Sequence, residues 1–171
     1  MQQAARELQD IEIVGVDIEN EHTSTYNGYI CLIQLSAYHP QGDIKTYVID
    51  VLKQEVAESL SSILGATLFE NAKVLKLLHG CLSSDLTWMI RDFGIKLIGT
   101  FDTQEFEKKF ISVKNLSLAN FWEKYCDGIA QIDTTEKKEL QGSDWKVRPL
   151  AQDQLDYAAN DTYFLLHIAC S

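Results

Sequence analysis

An apolar segment that ends in two acidic side chains, IEIVGVDIENEH at residues 11–22, constrains the fold more than any other feature of the sequence. Its β-branched residues predict a buried strand, and the side chains of a strand alternate between its two faces. Asp17 and Glu19 therefore point to one face, and the aliphatic residues that alternate with them point to the other. Two neighbouring carboxylates on a buried strand repel each other and lose hydration. The segment predicts either a compensating positive charge or exposure to solvent.

The length and composition predict a single globular domain. The chain has 171 residues, of which 46% are hydrophobic, so it can bury a sizeable core. It contains no apolar run of about 18 residues that would predict a membrane span, and its first residues lack the features of a secretory signal. The sequence stops within a helical pattern, so we expect residues 1–171 to be one domain excised from a longer protein.

The net charge and the spacing of the cysteines restrict the classes of function that this chain can have. The net charge of −10 has the wrong sign for a protein that neutralises phosphates with a basic face. It fits either an ordinary acidic surface or acids that bind cations. The four cysteines are far apart and form no CxxC pair, which argues against a zinc site and a disulfide framework.

Strand-like and helix-like segments follow one another along the chain. YICLIQLSAY and KTYVIDV predict two strands, and YHPQGD between them predicts a hairpin-like turn. Residues 54–70 predict a helix, residues 72–80 a fourth strand, and SSDLTWMIRDFG a capped helix that stops at a glycine. The polar region 129–149 predicts loops, and the final segment predicts a long helix. This order predicts an α/β sheet with helices on both faces.

Further acidic residues occupy unusual positions. Asp85 opens a predicted helix, where capping and the helix dipole also favour an acid. Asp161 lies within the last helix, one turn after Tyr157 and on the same face, although a helix interior disfavours aspartate. Asp102, in TFDT, is interpreted as a helix cap. Four converging carboxylates require cations, and two divalent ions would make them ordinary oxygen ligands.

Three stretches of the chain resemble the motifs of the DEDDy 3′→5′ exonucleases. They are VGVDIENEHTSTYNGYICLIQLS, VLKLLHGCLSSDLTWMIRDFGIKLIGTFDT and WKVRPLAQDQLDYAANDTYFLL. Within this family the chain is most similar to the RNase D type, especially the exoribonuclease catalytic subunit associated with the nuclear exosome. The resemblance implies a ribonuclease H-like α/β fold with a mixed sheet of roughly five strands between helices. We expect the acidic site at the edge of the sheet.

The resemblance also implies a role for each matching residue. Asp17 would bridge two Mg²⁺ or Mn²⁺ ions, Glu19 and Asp161 would complete one site, and Asp85 would hold the second ion. Tyr157 would orient the attacking water. The implied function is metal-dependent 3′→5′ exoribonuclease activity in RNA processing or decay, which releases nucleoside 5′-monophosphates from the 3′ end of single-stranded RNA. The implied setting is an exosome-type RNA-decay complex, and the expected nuclear location follows from family analogy alone. No association with a membrane is expected.

The family pattern allows two interpretations for some residues. HGCLSSD carries one extra residue between His79 and Asp85, but the sequence after it matches in register, so Asp85 is kept as the ligand. His22 and Tyr26 are candidates for substrate contact, and His79 for substrate contact or a structural role. Two further candidates, Lys146 and Arg148, either hold phosphates or lie on the surface.

Two rival functions remain open from the sequence. The first is the same chemistry on DNA, although EHTSTYNGYICLIQLS is closer to the RNA-trimming branch. The second is a catalytically inactive exonuclease fold that binds RNA as a scaffold. Such scaffolds usually lose ligands, whereas this chain keeps all four acids and the tyrosine.

Overall fold

The computed structural model describes residues 1–22, 26–40, 42–81, 85–111, 116–125 and 139–170. The strands are β1 (Ile13–Glu21), β2 (Tyr29–Tyr38), β3 (Ile44–Asp50), β4 (Leu75–Leu78) and β5 (Thr100–Asp102). The helices are α1 (Gln2–Glu7), α2 (Gln54–Leu60), α3 (Asp85–Phe93), α4 (Thr103–Phe110), α5 (Leu118–Tyr125) and α6 (Gln152–Cys170), and α2 continues directly into a π-helical segment (Ser61–Phe69). Within this described part of the chain, no helix is both long and apolar enough to cross a membrane.

The five strands form one mixed sheet in the order β3-β2-β1-β4-β5. The strands β1, β2 and β3 are antiparallel neighbours, whereas β4 runs parallel to both β1 and β5. The predicted turn between β2 and β3 is confirmed, since the backbone N–H of His39 donates to the carbonyl of Asp43 at 2.9 Å. The α/β class and the mixed five-stranded sheet predicted from the sequence are both confirmed.

The two faces of β1 have different environments, as its alternating pattern predicts. Val14, Val16 and Ile18 are buried in the main core, where the sheet packs against α1, α2, the π-helical segment and α3. The opposite face packs against α6, through clusters that include Leu32 with Ala158 and Leu77 with Leu165. Helices therefore cover both faces of the sheet, and the acidic residues of β1 lie on the side of α6.

Two predicted elements differ in detail from those observed. The predicted helix at residues 54–70 is present, and Leu60 and Leu64 are fully buried as expected. Its second half is π-helical, with the N–H of Glu70 bonded to the carbonyl of Gly65 at 2.8 Å. The predicted fourth strand is shorter than expected and ends at Leu78. The chain turns away there because Gly80 has a φ of +74°, a conformation that favours glycine.

The packing of α6 against β1 requires a glycine. A Cβ atom at Gly15 would lie 2.7 Å from the carbonyl oxygen of Thr162 in α6. Since β1 is the middle strand, this contact places α6 over the centre of the sheet. The expectation that the acids lie at the sheet edge is therefore wrong, because Asp17 and Glu19 belong to the central strand.

Candidate active site

An acidic cavity of about 430 Å³ lies between β1, α3 and α6. All five residues that the sequence singled out as catalytic line this cavity, and they are Asp17, Glu19, Asp85, Tyr157 and Asp161. They come from three separate parts of the chain. The sheet supplies the first two, the first residue of α3 supplies the third, and one face of α6 supplies the last two.

Two groups of possible metal ligands meet in the cavity. Carboxylate oxygens of Asp17, Glu19 and Asp161 lie within 4.8 Å of one another. The ligand atoms of Asp17, Cys81 and Asp85 also lie within 4.8 Å of one another, so Asp17 belongs to both groups. Carboxylate oxygens are the ligands that hard divalent cations prefer. The carboxylate donors thus fit a hard divalent cation, and Asp17 belongs to both groups.

The environment of Tyr157 keeps its hydroxyl protonated. The side chain is only 8% exposed, and burial raises the pKa of the hydroxyl well above its ordinary value. The neighbouring carboxylates raise this pKa further, Asp161 more than the others. At neutral pH the hydroxyl is consequently a hydrogen-bond donor at the cavity wall.

Asp102 stabilises the turn that leads out of β4 beside the cavity. Its carboxylate accepts hydrogen bonds from the backbone N–H groups of Gln104 and Glu105, so the predicted helix cap is confirmed. The same carboxylate accepts from the N–H groups of Gly80 and Cys81, at 3.0 and 2.9 Å. One side chain thereby joins the start of α4 to the residues before α3. The extra residue of the sequence motif lies between His79 and Asp85, a stretch of which residues 82–84 are outside the described residues.

The two histidines named by the sequence analysis both line the cavity. The exposed His22 donates from Nδ1 to Asn20 Oδ1 at 2.9 Å, since an amide oxygen can only accept. His79 is held by protein contacts on both ring nitrogens. Its Nε2–H donates to the carbonyl of Leu116 at 3.0 Å, and its Nδ1 lies 2.8 Å from Thr103 Oγ1.

The other three predicted substrate contacts do not line the cavity. Tyr26 is fully exposed. Lys146 pairs with the buried carboxylate of Glu21 at 3.3 Å. Arg148 forms a two-pronged pair with Asp50, at 2.8 Å from Nε and 2.6 Å from Nη2. In this structure both cations already serve contacts within the protein.

Three further residues lie at or beside the site, although the sequence analysis gave them no role there. Cys81 is buried, and its Sγ lies 3.9 Å from Asp17 Oδ1. Trp145 lines the cavity and packs against Tyr157, with ring centroids 5.9 Å apart. Among the described residues, the Trp145 indole Nε1 and both amide atoms of the buried Gln34 have no hydrogen-bond partner. Only the packing of distant segments reveals these groups.

Known proteins are similar to this chain over nearly its whole length. The exosome complex component 10 homolog of Drosophila melanogaster is 33% identical over 168 residues, which are 98% of this chain and 17% of that protein. The exosome complex exonuclease RRP6 of Saccharomyces cerevisiae is 32% identical over 163 residues, which are 95% of this chain and 20% of that protein. The chain therefore spans about a fifth of the length of these relatives or less.

A solved structure shows the same architecture. The catalytic core of RRP6 from Trypanosoma brucei superimposes with a TM-score of 0.82 and 26% sequence identity, covering 98% of this chain and 42% of that one. This likeness confirms the fold class and the resemblance inferred from the three motifs. In addition, the family model described as 3′-5′ exonuclease matches residues 1–171. The chain belongs to the 3′-5′ exonuclease family.

Proposed function

We propose that this chain is the catalytic domain of a metal-dependent 3′→5′ exoribonuclease. The observation that carries the proposal is the convergence of four acids and one tyrosine, from three separate elements, on one cavity. The relatives support exonuclease activity, because the yeast protein is named as an exonuclease of the exosome complex. The proposed substrate is the 3′ end of single-stranded RNA.

Each residue has a defined task in this proposal. Asp17, Glu19 and Asp161 would hold one Mg²⁺ or Mn²⁺ ion, and Asp17 and Asp85 would hold a second. Two such ions would stabilise the charge on the attacking and leaving oxygens of an in-line displacement at phosphorus. The hydroxyl of Tyr157 orients the attacking water, which fits its raised pKa.

The reaction breaks the bond between phosphorus and the 3′ oxygen of the penultimate nucleotide. The oxygen of the water joins phosphorus and its proton is released, while the 3′ oxygen takes up a proton and leaves as the 3′ hydroxyl of the shortened RNA. The product is a nucleoside 5′-monophosphate. His22 and His79 line the same cavity, and contact of both with the terminal nucleotide is part of this proposal.

The setting we propose is an exosome-type RNA-decay complex in the nucleus. It is supported by the names of the Drosophila and yeast relatives, both of which are assigned to the exosome complex. The nuclear exosome setting is inferred by analogy with these relatives and not from the geometry of the cavity.

The test is a time course on single-stranded RNA labelled at its 5′ end, with Mg²⁺, Mn²⁺ or a chelator, beside DNA of the same sequence. We expect a ladder that shortens from the 3′ end with either metal, no shortening with the chelator, and faster trimming of RNA than of DNA. Trimming that persists in the chelator would contradict the metal site. Tight RNA binding without any trimming would indicate a scaffold instead.

A further inference from the structure

Gln34 in β2 is buried with its polar end unsatisfied. The side chain is fully inaccessible to solvent, and neither Nε2 nor Oε1 has a hydrogen-bond partner among the described residues. Buried amides are almost always paired, since an unpaired donor or acceptor keeps the full cost of its lost hydration. A role in the sheet alone does not account for this side chain, because its polar atoms bond to nothing in the sheet.

The register of the sheet places Gln34 beside the acidic cavity. Gln34 is the residue of β2 directly opposite Asp17 of β1. Directly opposed residues of antiparallel strands project to the same face, with Cβ atoms about 4.5–5.5 Å apart. The amide of Gln34 and the carboxylate of Asp17 are therefore neighbours on the face that α6 covers.

Contacts of the residues that flank Gln34 in β2 show which turn of α6 faces its amide. Two residues earlier in β2, Leu32 packs in one cluster with Tyr157. Two residues later, the Oγ of Ser36 lies 2.7 Å from Thr162 Oγ1. The position between them therefore faces the turn of α6 that carries Asp161.

We propose that Gln34 is a positioning residue of the acidic cavity: its Nε2–H, which has no partner in the described part of the chain, donates to the carboxylate of Asp17 when divalent cations bind and holds that carboxylate in the orientation that binds them. This inference rests on the function proposed above. Asp17 belongs to both ligand groups, so its orientation affects both ions. A neutral amide suits this task, because it restrains the carboxylate without cancelling the charge that attracts cations, as a lysine would.

The decisive variant is Gln34→Met, which keeps the length of the side chain and removes the amide. We expect its Mn²⁺ affinity, measured by calorimetry, to fall about tenfold, as is typical when a residue that orients a ligand is lost. Its melting temperature in chelator should be equal to or above that of the parent, because the variant no longer buries an unpaired amide.

Ser36→Ala is the matched control on the same strand and face. It removes hydrogen bonds to Thr46 and Thr162, at 2.6 and 2.7 Å. It should therefore lower the melting temperature by the same amount in chelator and in Mn²⁺, and leave the Mn²⁺ affinity within about twofold of the parent. A residue with a merely structural role would give this pattern at position 34 as well.

Two outcomes separate this inference from the proposed function. If the parent binds Mn²⁺ and Gln34→Met binds it equally well, the positioning role is refuted while the proposed function stands. If the parent itself binds no Mn²⁺, the proposed function fails, and the role of Gln34 fails with it.

A measurement on the unmodified chain covers the case in which the variant does not fold. Addition of Mg²⁺ should shift the NMR signals of the Gln34 side-chain amide, and signals that stay unchanged would refute the inference.

Discussion

Replacing Asp161 by asparagine removes one of three crowded carboxylates and keeps the shape of the side chain. Its oxygens lie within 4.8 Å of those of Asp17 and Glu19. At that separation two like charges repel by about 3.5 kcal/mol at an effective dielectric constant of about 20, and by about 0.9 kcal/mol in bulk water. The change relieves two such pairs. With divalent ions absent, we expect it to stabilise the protein by at least about 2 kcal/mol.

Thermal unfolding in chelator at pH 8 and low salt measures this gain. For a domain of this size, about 2 kcal/mol corresponds to a rise of about 4–8 °C in melting temperature. In Mn²⁺ the variant should melt at a lower temperature than the parent, because the parent gains stability from the bound ions and the variant has lost a charged ligand. Trimming of labelled RNA should fall by more than about a hundredfold.

The matched control is Asp156→Asn on the same helix. Asp156 is exposed and contacts the side chain of Gln152, so the substitution removes the same charge outside the cavity. Its melting temperature should change little in either condition. If Asp161→Asn lowers the melting temperature in chelator, the carboxylates do not repel one another as the geometry requires. If the variant trims RNA as fast as the parent, the assignment of Asp161 is wrong.

Three further predictions concern residues that line the site or support it. Gly15→Ala should lower the free energy of unfolding by about 1–3 kcal/mol, and also reduce trimming, because the added methyl group pushes against the carbonyl of Thr162. Arg148→Met should cost about 1–3 kcal/mol at pH 7. The guanidinium holds the pKa of Asp50 below its ordinary 3.8, so this deficit should shrink as the pH falls below that value. Tyr157→Phe should reduce the trimming rate about a hundredfold and leave Mn²⁺ affinity unchanged.

Each of these predictions has a result that would contradict it. For the glycine the control is Gly65→Ala, where the added Cβ meets only Ser61 Oγ at 3.4 Å, and equal effects of the two substitutions would exclude a tight contact with α6. For Arg148 a deficit that persists unchanged at pH 3 would exclude the ion pair as its cause. For Tyr157 a loss of Mn²⁺ affinity would show that the hydroxyl binds the metal or positions a ligand such as Asp161, and does not act on the water alone.

The periodicity of the sequence was sufficient to predict the main elements. Alternation in β1 predicted which side chains enter the core and which face α6, since a strand has a period of two whatever surrounds it. The spacing of Tyr157 and Asp161 predicted a shared helix face for the same kind of local reason. The π-helical segment and the short β4 were not predicted, because tertiary packing and a local glycine conformation determine them.

Contacts between distant segments decided what the sequence could not. Lys146 and Arg148 have the chemistry of phosphate ligands, but their acidic partners lie 125 and 98 residues away in the chain. Gln34 became a candidate only when the hairpin register placed it opposite Asp17.

The sequence by itself determined the acids and the strand and helix that carry them, because those patterns depend on neighbours a few residues apart. Only the tertiary structure decided that they share one cavity and which other groups surround it. Contacts of that kind join residues far apart in the chain, and their geometry depends on how the whole sheet and its helices pack.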